Sequence, residues 1–391
     1  MSKIKIKEGI DLLFEKHLSL LSNRKIGVLA HGASVSSRLI HLIDELIQIK
    51  CKISRIFSPE HGLFGAAQDM EAVKTVESFY QGIPVESLYG DNLESLQPKD
   101  EDFSNLDLLI CDLQDIGTRY YTYVWTALLT AIKALENNTQ VLILDRINPL
   151  GGKITEGNLI EPGFHSFVGL RSVPVRHSLT IGEILYLFLR KEGFEEGFEV
   201  IRCEGWQREL CHEDTTLPWV MPSPNMPSLT AAHLYPGMCL LEATNLSEGR
   251  GTTRPFEIFG APYLDQEKFL KKMPVFRGIA LRKVKFKPMF QKHAGQICNG
   301  FQIHCQDRSF SRNWLLGLTL IATTAKLYPE YFNWRDQPYE FVKEIPAVDL
   351  LTGNSIFREM VENNSFDPEY FLNLQGESRK WREDLSEELL Y

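Results

Sequence analysis

The chain has 391 residues, 43% of them hydrophobic and 24% charged, with 42 Lys and Arg against 51 Asp and Glu and a formal charge of −9. A chain of this length exceeds what one core usually serves and implies two packed domains of ordinary globular composition, and no run approaches the roughly 20 apolar residues of a membrane span. Acidic charge without a basic, aromatic-rich cluster excludes nucleic acid as an expected partner.

The start, Met1 to Asp11, runs from basic to acidic residues without the apolar core of an export signal, so a cytoplasmic location is expected. Apolar β-branched runs then recur at 25–30, 51–57, 106–112 and 140–145. Each is short and nearly unbroken, as buried parallel strands are. Helical spacing fills Leu39–Ile49 and Thr122–Glu136 between them. Strand, helix, strand, helix implies an α/β doubly wound, mostly parallel sheet. A helix over Ile181–Glu192 and a strand over 198–202 extend it, and Thr180 with Glu183 reads as a capping box.

Residues 218–262 are rich in Pro, Gly, Asn, Ser and Thr around one helical segment, Thr230–Leu241, and read as an interdomain lining. After residue 250 the pattern changes to a second, smaller α+β domain (251–391). It has a helix at Gln266–Met273, strands at Gly278–Phe286 and Gly300–His304, a long amphipathic helix at Asn313–Tyr328 and a charged, solvated helix at Glu377–Glu388. The seven cysteines (51, 111, 203, 211, 239, 298, 305) include no Cys-x-x-Cys pair and read as reduced core thiols, with neither a disulfide framework nor a zinc site.

Ligands of such sheets bind beyond the carboxyl ends of the strands. Three successive loops there are rich in polar groups: Ser58-Pro59-Glu60-His61-Gly62, Asp112 to Tyr121, and Asp145 to Gly152. Glu60, just past a proline at a strand end, fits a general acid and fits a helix cap equally well. His61 either meets the ligand or orients Glu60. Asp112, Asp115 and Arg119 either pair with one another or bind substrate. Of Tyr120, Tyr121 and Tyr123, Tyr121 is the residue expected to face a ligand. Asp145 and Arg146 either contact substrate or lock their loop, and His177, just before the Thr180 cap, is free to face the cleft. His61 and His177 with Asp112 or Asp115 form a minor metal-binding alternative, without the spacing of a known motif. The polar loop Asn245–Phe256 lacks the Lys-Ser/Thr of a phosphate loop, and Gly27 begins no Gly-x-Gly-x-x-Gly turn, so no cofactor is expected.

Eight ordered segments carry a resemblance that spans nearly the whole chain: Ser58–Gly65, Ser87–Gly90, Asp112–Tyr123, Leu144–Pro149, Arg176–Glu183, Ser223–Pro227, Tyr235–Gly237 and Glu242–Thr253. Together they resemble the exo-β-N-acetylmuramidase (NamZ-like) family. The resemblance implies a Rossmann-like domain with a smaller carboxy-terminal domain, and release of terminal N-acetylmuramic acid from the non-reducing end of peptidoglycan fragments. It places the family's proposed catalytic glutamate on Glu60, and glycosidase chemistry then asks for a second carboxylate, Asp115 or Glu248. The lactyl carboxylate of muramic acid calls for a cation able to make two parallel bonds. Arg250 is the first choice, ahead of Arg254 and Arg119, while Asn225 and Asn245 suit the N-acetyl group and ring hydroxyls. The chain departs from the family at Ala30-His31-Gly32-Ala33-Ser34, where Thr-Asn-Pro-Thr-Gly is common, and at Phe64, where arginine is common. These departures motivate an alternative, a non-catalytic muropeptide-binding protein on the same scaffold. A metal-dependent hydrolase is the third reading.

Overall fold

The computed structural model describes residues 3–65, 79–90, 92–308 and 312–391. The apolar runs become strands β1 (Lys25–Ala30), β2 (Lys52–Ser58), β3 (Phe79–Tyr80), β4 (Ile83–Ser87), β5 (Leu108–Asp112), β6 (Gln140–Leu144) and β7 (Phe198–Ile201). Among the described residues they form one sheet in the order β3-β4-β2-β1-β5-β6-β7, parallel except for β3 against β4. The β3–β4 edge had no expectation from sequence. Pro84 interrupts its pattern and its residues are at most half-buried, as edge strands are.

Helices α1 (Gly9–Lys16) and α2 (Leu42–Gln48) cover one face of the sheet, closing a core around Ile26, Val28 and Ile110. Helices α3 (Tyr123–Glu136) and α4 (Ile181–Lys191) cover the other. The expected capping box starts α4: Thr180 Oγ1 accepts from the Glu183 amide at 3.1 Å, and Glu183 accepts from the Thr180 amide at 3.0 Å.

Helix α5 (Leu229–Met238) leads into a three-stranded antiparallel sheet of β8 (Ile258–Ala261), β9 (Ile279–Phe286) and β10 (Cys298–Cys305), ordered β8-β10-β9, with α6 (Gln266–Leu270) beside it. Helices α7 (Asn313–Leu327), α8 (Ala347–Thr352), α9 (Ile356–Glu362) and α10 (Pro368–Asp384) complete the chain. The α3/α4 core continues without a break into this second part, from Trp125 and Phe188 through Leu240 to Trp314 and Phe371. Gly237 of α5 and Gly317 of α7 meet backbone to backbone. A Cβ on Gly237 would stand 1.8 Å from the Asn313 carbonyl oxygen.

Two helices differ from expectation. The segment expected to be amphipathic, α7, is buried on nearly every side, because it lies between the small sheet and the helices around it. The tail helix begins at Pro368 rather than near 377: Asp367 caps the Glu369 amide and Pro368 takes the first helical position, where its missing N–H costs nothing. Among the described residues no helix is long and apolar enough to cross a membrane.

Candidate active site

Strand β2 ends at Ser58, and the chain turns at once. The Gly62 amide donates to the Pro59 carbonyl at 3.1 Å, and His61 takes the third position of this turn with φ 72°. That left-handed conformation costs a side-chain-bearing residue roughly 1–2 kcal/mol. Strain of this kind collects at functional sites. The turn aims Glu60 at the start of α3, where Thr122 Oγ1 donates to Glu60 Oε2 at 3.1 Å. Tyr123 shares its hydroxyl between the carbonyls of Glu60 (3.3 Å) and Pro222 (3.0 Å).

Glu60 and His61 open onto a cleft. Its floor is a row of aromatic rings packed edge to face: Tyr123 on Tyr121 (4.9 Å between centroids), Tyr121 on Tyr235 (5.8 Å) and Tyr235 on Phe256 (4.8 Å). Tyr121 is 7% exposed, and its hydroxyl, beside Ser223 and Tyr123, makes no well-formed hydrogen bond among the described residues. Burial raises its phenol pKa, so the group is a neutral donor. Asn225 also lines the cleft.

The far wall comes from the second half of the chain. Arg250 lies over the Phe256 ring at 5.1 Å and pairs with Glu242 at 3.0 Å, while Tyr339 donates to the other Glu242 oxygen at 2.8 Å. Tyr339 and Val342 exchange both backbone hydrogen bonds, at 3.0 and 2.9 Å, around a two-residue turn of Glu340 and Phe341. Both turn residues have positive φ, 45° and 68°. Such turns normally use Asn-Gly, and the side chains here add roughly 1–2 kcal/mol of strain per residue. Glu340 is buried, lines the cleft and accepts from the Tyr89 hydroxyl at 3.2 Å.

Of the residues expected from sequence, Glu60, His61, Tyr121, Asn225 and Arg250 meet in this cleft. Asp115 lies behind its wall: its Oδ2 accepts from the Gly117 amide at 2.7 Å and sits 3.3 Å from His177 Nε2. His177 is fully buried, and its Nδ1 accepts from the Leu179 amide, so the ring proton is on Nε2, facing Asp115. Arg119 is also fully buried, donating to the carbonyls of Asn158, Val173 and Leu351. Asn245 holds the Tyr331 carbonyl and accepts from Tyr263 and the Asn333 amide. Exposed Arg254 reaches in to pair with buried Glu257. Glu248 takes Lys292 at 2.8 Å. Burial works against its charge, but Lys292 and Arg250 outweigh that and hold its carboxyl below the usual range.

Asp145 and Arg146 belong to a separate cluster under the sheet edge. Arg146 donates to both Asp112 oxygens, at 2.6 and 2.9 Å, and to Glu8 at 2.9 Å. Asp145 accepts from the Arg146 and Gly182 amides and from the hydroxyls of Thr180 and Tyr391. Asp112 is thereby tied to Arg146, while His177 faces Asp115 behind the wall and His61 lines the cleft, so neither set weighed as metal ligands is gathered in one place. Among the described residues no group of three His, Cys, Asp or Glu could hold a metal ion.

The unusual first loop supports the site from behind. His31 Nε2 accepts from the Gln114 amide at 2.9 Å and Nδ1 faces the Pro222 carbonyl at 3.1 Å, which requires a neutral ring with its proton on Nδ1. Burial, with Arg146 nearby, lowers its pKa to about 3. The ring packs against Tyr123 at 4.9 Å. Phe64 turns away, half exposed against Tyr80 and His41.

Sequence reasoning did not single out Thr122, Glu242, Tyr339 or Glu340 for the site. Thr122 and Glu242 lay inside quoted motifs. Glu340 had no signal, because its turn contains neither Gly nor Asn.

Comparison with known proteins agrees with this architecture. The model of the exo-β-N-acetylmuramidase NamZ N-terminal domain matches residues 26–230, and that of the NamZ C-terminal domain matches residues 233–391. The peptidoglycan β-N-acetylmuramidase NamZ of Bacillus subtilis (strain 168) is 37% identical over 366 residues, covering 93% of this chain and 86% of that protein. Crystal structures of two DUF1343 family proteins from Bacteroides fragilis superpose with TM-scores of 0.83 and 0.73 at 27% and 26% identity. They cover 96% and 99% of this chain and 99% of each of those chains. With both domain models matched in order over nearly its full length, this chain belongs to the NamZ exo-β-N-acetylmuramidase family of glycosidases.

Proposed function

We propose that this glycosidase releases N-acetylmuramic acid from the non-reducing end of peptidoglycan fragments, with Glu60 as the general acid. The observation that carries the reading is the convergence in one cleft of Glu60 at one end of an aromatic floor and Arg250 at the other. Aromatic faces suit the apolar side of a sugar ring. Arg250, oriented by Glu242, is placed for the lactyl carboxylate, and Tyr121 and Asn225 for ring hydroxyls or the N-acetyl group. His61 fixes the turn that aims Glu60. Asp115 with His177, Arg119, Asn245 and Glu248 hold the loops that carry these groups, while Asp145 and Arg146 hold β5, β6 and α1 together away from the cleft.

In the reaction the protonated Glu60 carboxyl gives its proton to the glycosidic oxygen as the bond to the anomeric carbon breaks. The seven cysteines are all free thiols, in keeping with work on wall fragments inside a reducing cytoplasm.

The test is hydrolysis of a muramic acid–glucosamine disaccharide followed by product chromatography. Glu60→Gln keeps the shape and removes the proton, so kcat should fall about a thousandfold. It should recover on an aryl muramide whose leaving group needs no proton. Wild type that binds the disaccharide without cleaving it would overturn the reading.

A further inference from the structure

We infer that His31 is a positioning residue for Glu60: from behind the cleft it fixes the Pro222 carbonyl and the Tyr123 ring, through which the Glu60 turn is held. This rests on the reading of Glu60 as general acid and adds what sets its aim.

His31 follows β1 directly, and its backbone is fixed first. Its amide donates to Ser34 Oγ at 2.9 Å, its carbonyl accepts from the Ser34 amide at 2.9 Å, and Ser34 Oγ donates in turn to the Asp112 carbonyl at the end of β5. The ring then makes two bonds of fixed sense. The Gln114 amide donates to Nε2, so the proton lies on Nδ1, which donates to the Pro222 carbonyl at 3.1 Å. Strands β1 and β5 are neighbours in the middle of the seven-stranded sheet. The imidazole is thus a post standing on the sheet and reaching the wall of the cleft.

That wall depends on such posts. Residues 218–227 include neither helix nor strand, so no backbone ladder sets their place, yet Ser223, Asn225 and Met226 line the cleft. The Pro222 carbonyl takes two donors, His31 Nδ1 and the Tyr123 hydroxyl at 3.0 Å, and the same hydroxyl reaches the Glu60 carbonyl at 3.3 Å. The Tyr123 ring also stands edge-on to His31, at 78° between planes. His31 therefore touches both groups that lead to Glu60. At 1% exposure, water has no access to replace its bonds, and with a pKa lowered to about 3 the ring keeps one tautomer at any pH where the fold is stable. An apolar side chain would fill this space as well. Two nitrogens used in opposite senses join the sheet to the site instead. The aim matters because a displacement of about 1 Å in a reacting group can cost about a hundredfold in rate.

The two ring bonds can be removed one at a time. In His31→Asn the amide nitrogen can stand where Nδ1 stands and keep the bond to Pro222. In His31→Gln the longer side chain brings its oxygen to the place of Nε2 and keeps the bond from Gln114 alone. Both are compared with wild type on the muramic acid–glucosamine disaccharide and on the aryl muramide, with denaturant melts setting the folded fraction. His31→Gln should lose about ten- to a hundredfold in kcat on the disaccharide and less than about threefold on the aryl muramide, whose leaving group needs no proton. His31→Asn should stay within about threefold of wild type on both. A merely structural role would not give this split, since a loosened fold penalises both substrates alike. Tyr123→Phe removes the other donor to Pro222 with His31 intact, and should show the same split even where a His31 variant fails to fold. An equal loss on both substrates, near-normal kcat in His31→Gln, His31→Asn more impaired than His31→Gln, or no split in Tyr123→Phe would overturn the assignment. Glu60→Gln without a leaving-group dependence would instead remove the general-acid reading itself.

Discussion

Two polar clusters lie near the carboxyl-terminal edge of the same sheet, and they differ in what they face. In the first, Arg146 is enclosed by Asp112 and Glu8, and Asp145 by four donors. Burial works against the Arg146 charge, but its two carboxylates outweigh that and hold it firmly ionised. In the second, hydroxyls of Thr122 and Tyr89 reach Glu60 and Glu340 beside a cleft. The first arrangement spends its charges on holding β5, β6 and α1 together. The second lines an open cleft. Motifs that look alike in sequence are therefore divided by whether they face the interior or the cleft.

The strongest way to break this contrast is Arg146→Ala. Removing one partner of a buried ion pair strands the others, so stability should fall by about 3–5 kcal/mol. Denaturant melts would measure it, and kcat per folded molecule should stay near that of wild type. A kcat loss at unchanged stability would return Arg146 to the substrate site.

Arg250→Lys should act in the opposite way. It keeps the charge but loses the planar fork, so KM for the muramic acid disaccharide should rise about ten- to a hundredfold with little change in kcat. Comparing it with the matching glucosamine disaccharide, which has no lactyl group, isolates the contact. An equal loss on both substrates would mean that Arg250 only holds Glu242 in place.

Asp145 gives the closed cluster a pH signature. Burial pushes its carboxyl from 3.8 up to about 7, against the pull of Tyr391, Thr180 and Gly182. Between those values the folded protein keeps a proton that the unfolded chain has released. This contribution is complete below about pH 4 and is lost as pH rises to about 7. Melting curves from pH 4 to 8 should show that slope in wild type and lack it in Asp145→Asn.

The sheet was legible because unbroken apolar runs allow little else, and the Thr180 box because capping is local chemistry. The β3–β4 edge was not, since a two-residue strand and one interrupted by a proline carry no period. Within the site, Glu60 could be read from its place after β2. Arg119 and Asp145 could not be separated from it, because a polar residue at a strand end does not reveal whether it turns towards a cleft or towards backbone groups inside. Glu340 was hidden for a different reason. Its turn breaks the usual preference for glycine, so local propensity argued against a turn there at all.

Tyr121→Phe is the smallest change and separates the two kinds of polar group most cleanly. The Tyr121 hydroxyl is buried, lines the cleft and makes no well-formed hydrogen bond among the described residues. A buried hydroxyl without a good partner is a cost to the folded state, so its removal should leave stability unchanged or raise it by about 1 kcal/mol. If the hydroxyl serves substrate, kcat/KM should still fall about tenfold, equal to 1.4 kcal/mol of lost contact in the transition state. Stability and activity would then move apart, as expected of a group kept for binding at some expense to folding. If both fell together, the hydroxyl would have a structural partner, and Tyr121 would join Arg119 among the residues that only build the wall.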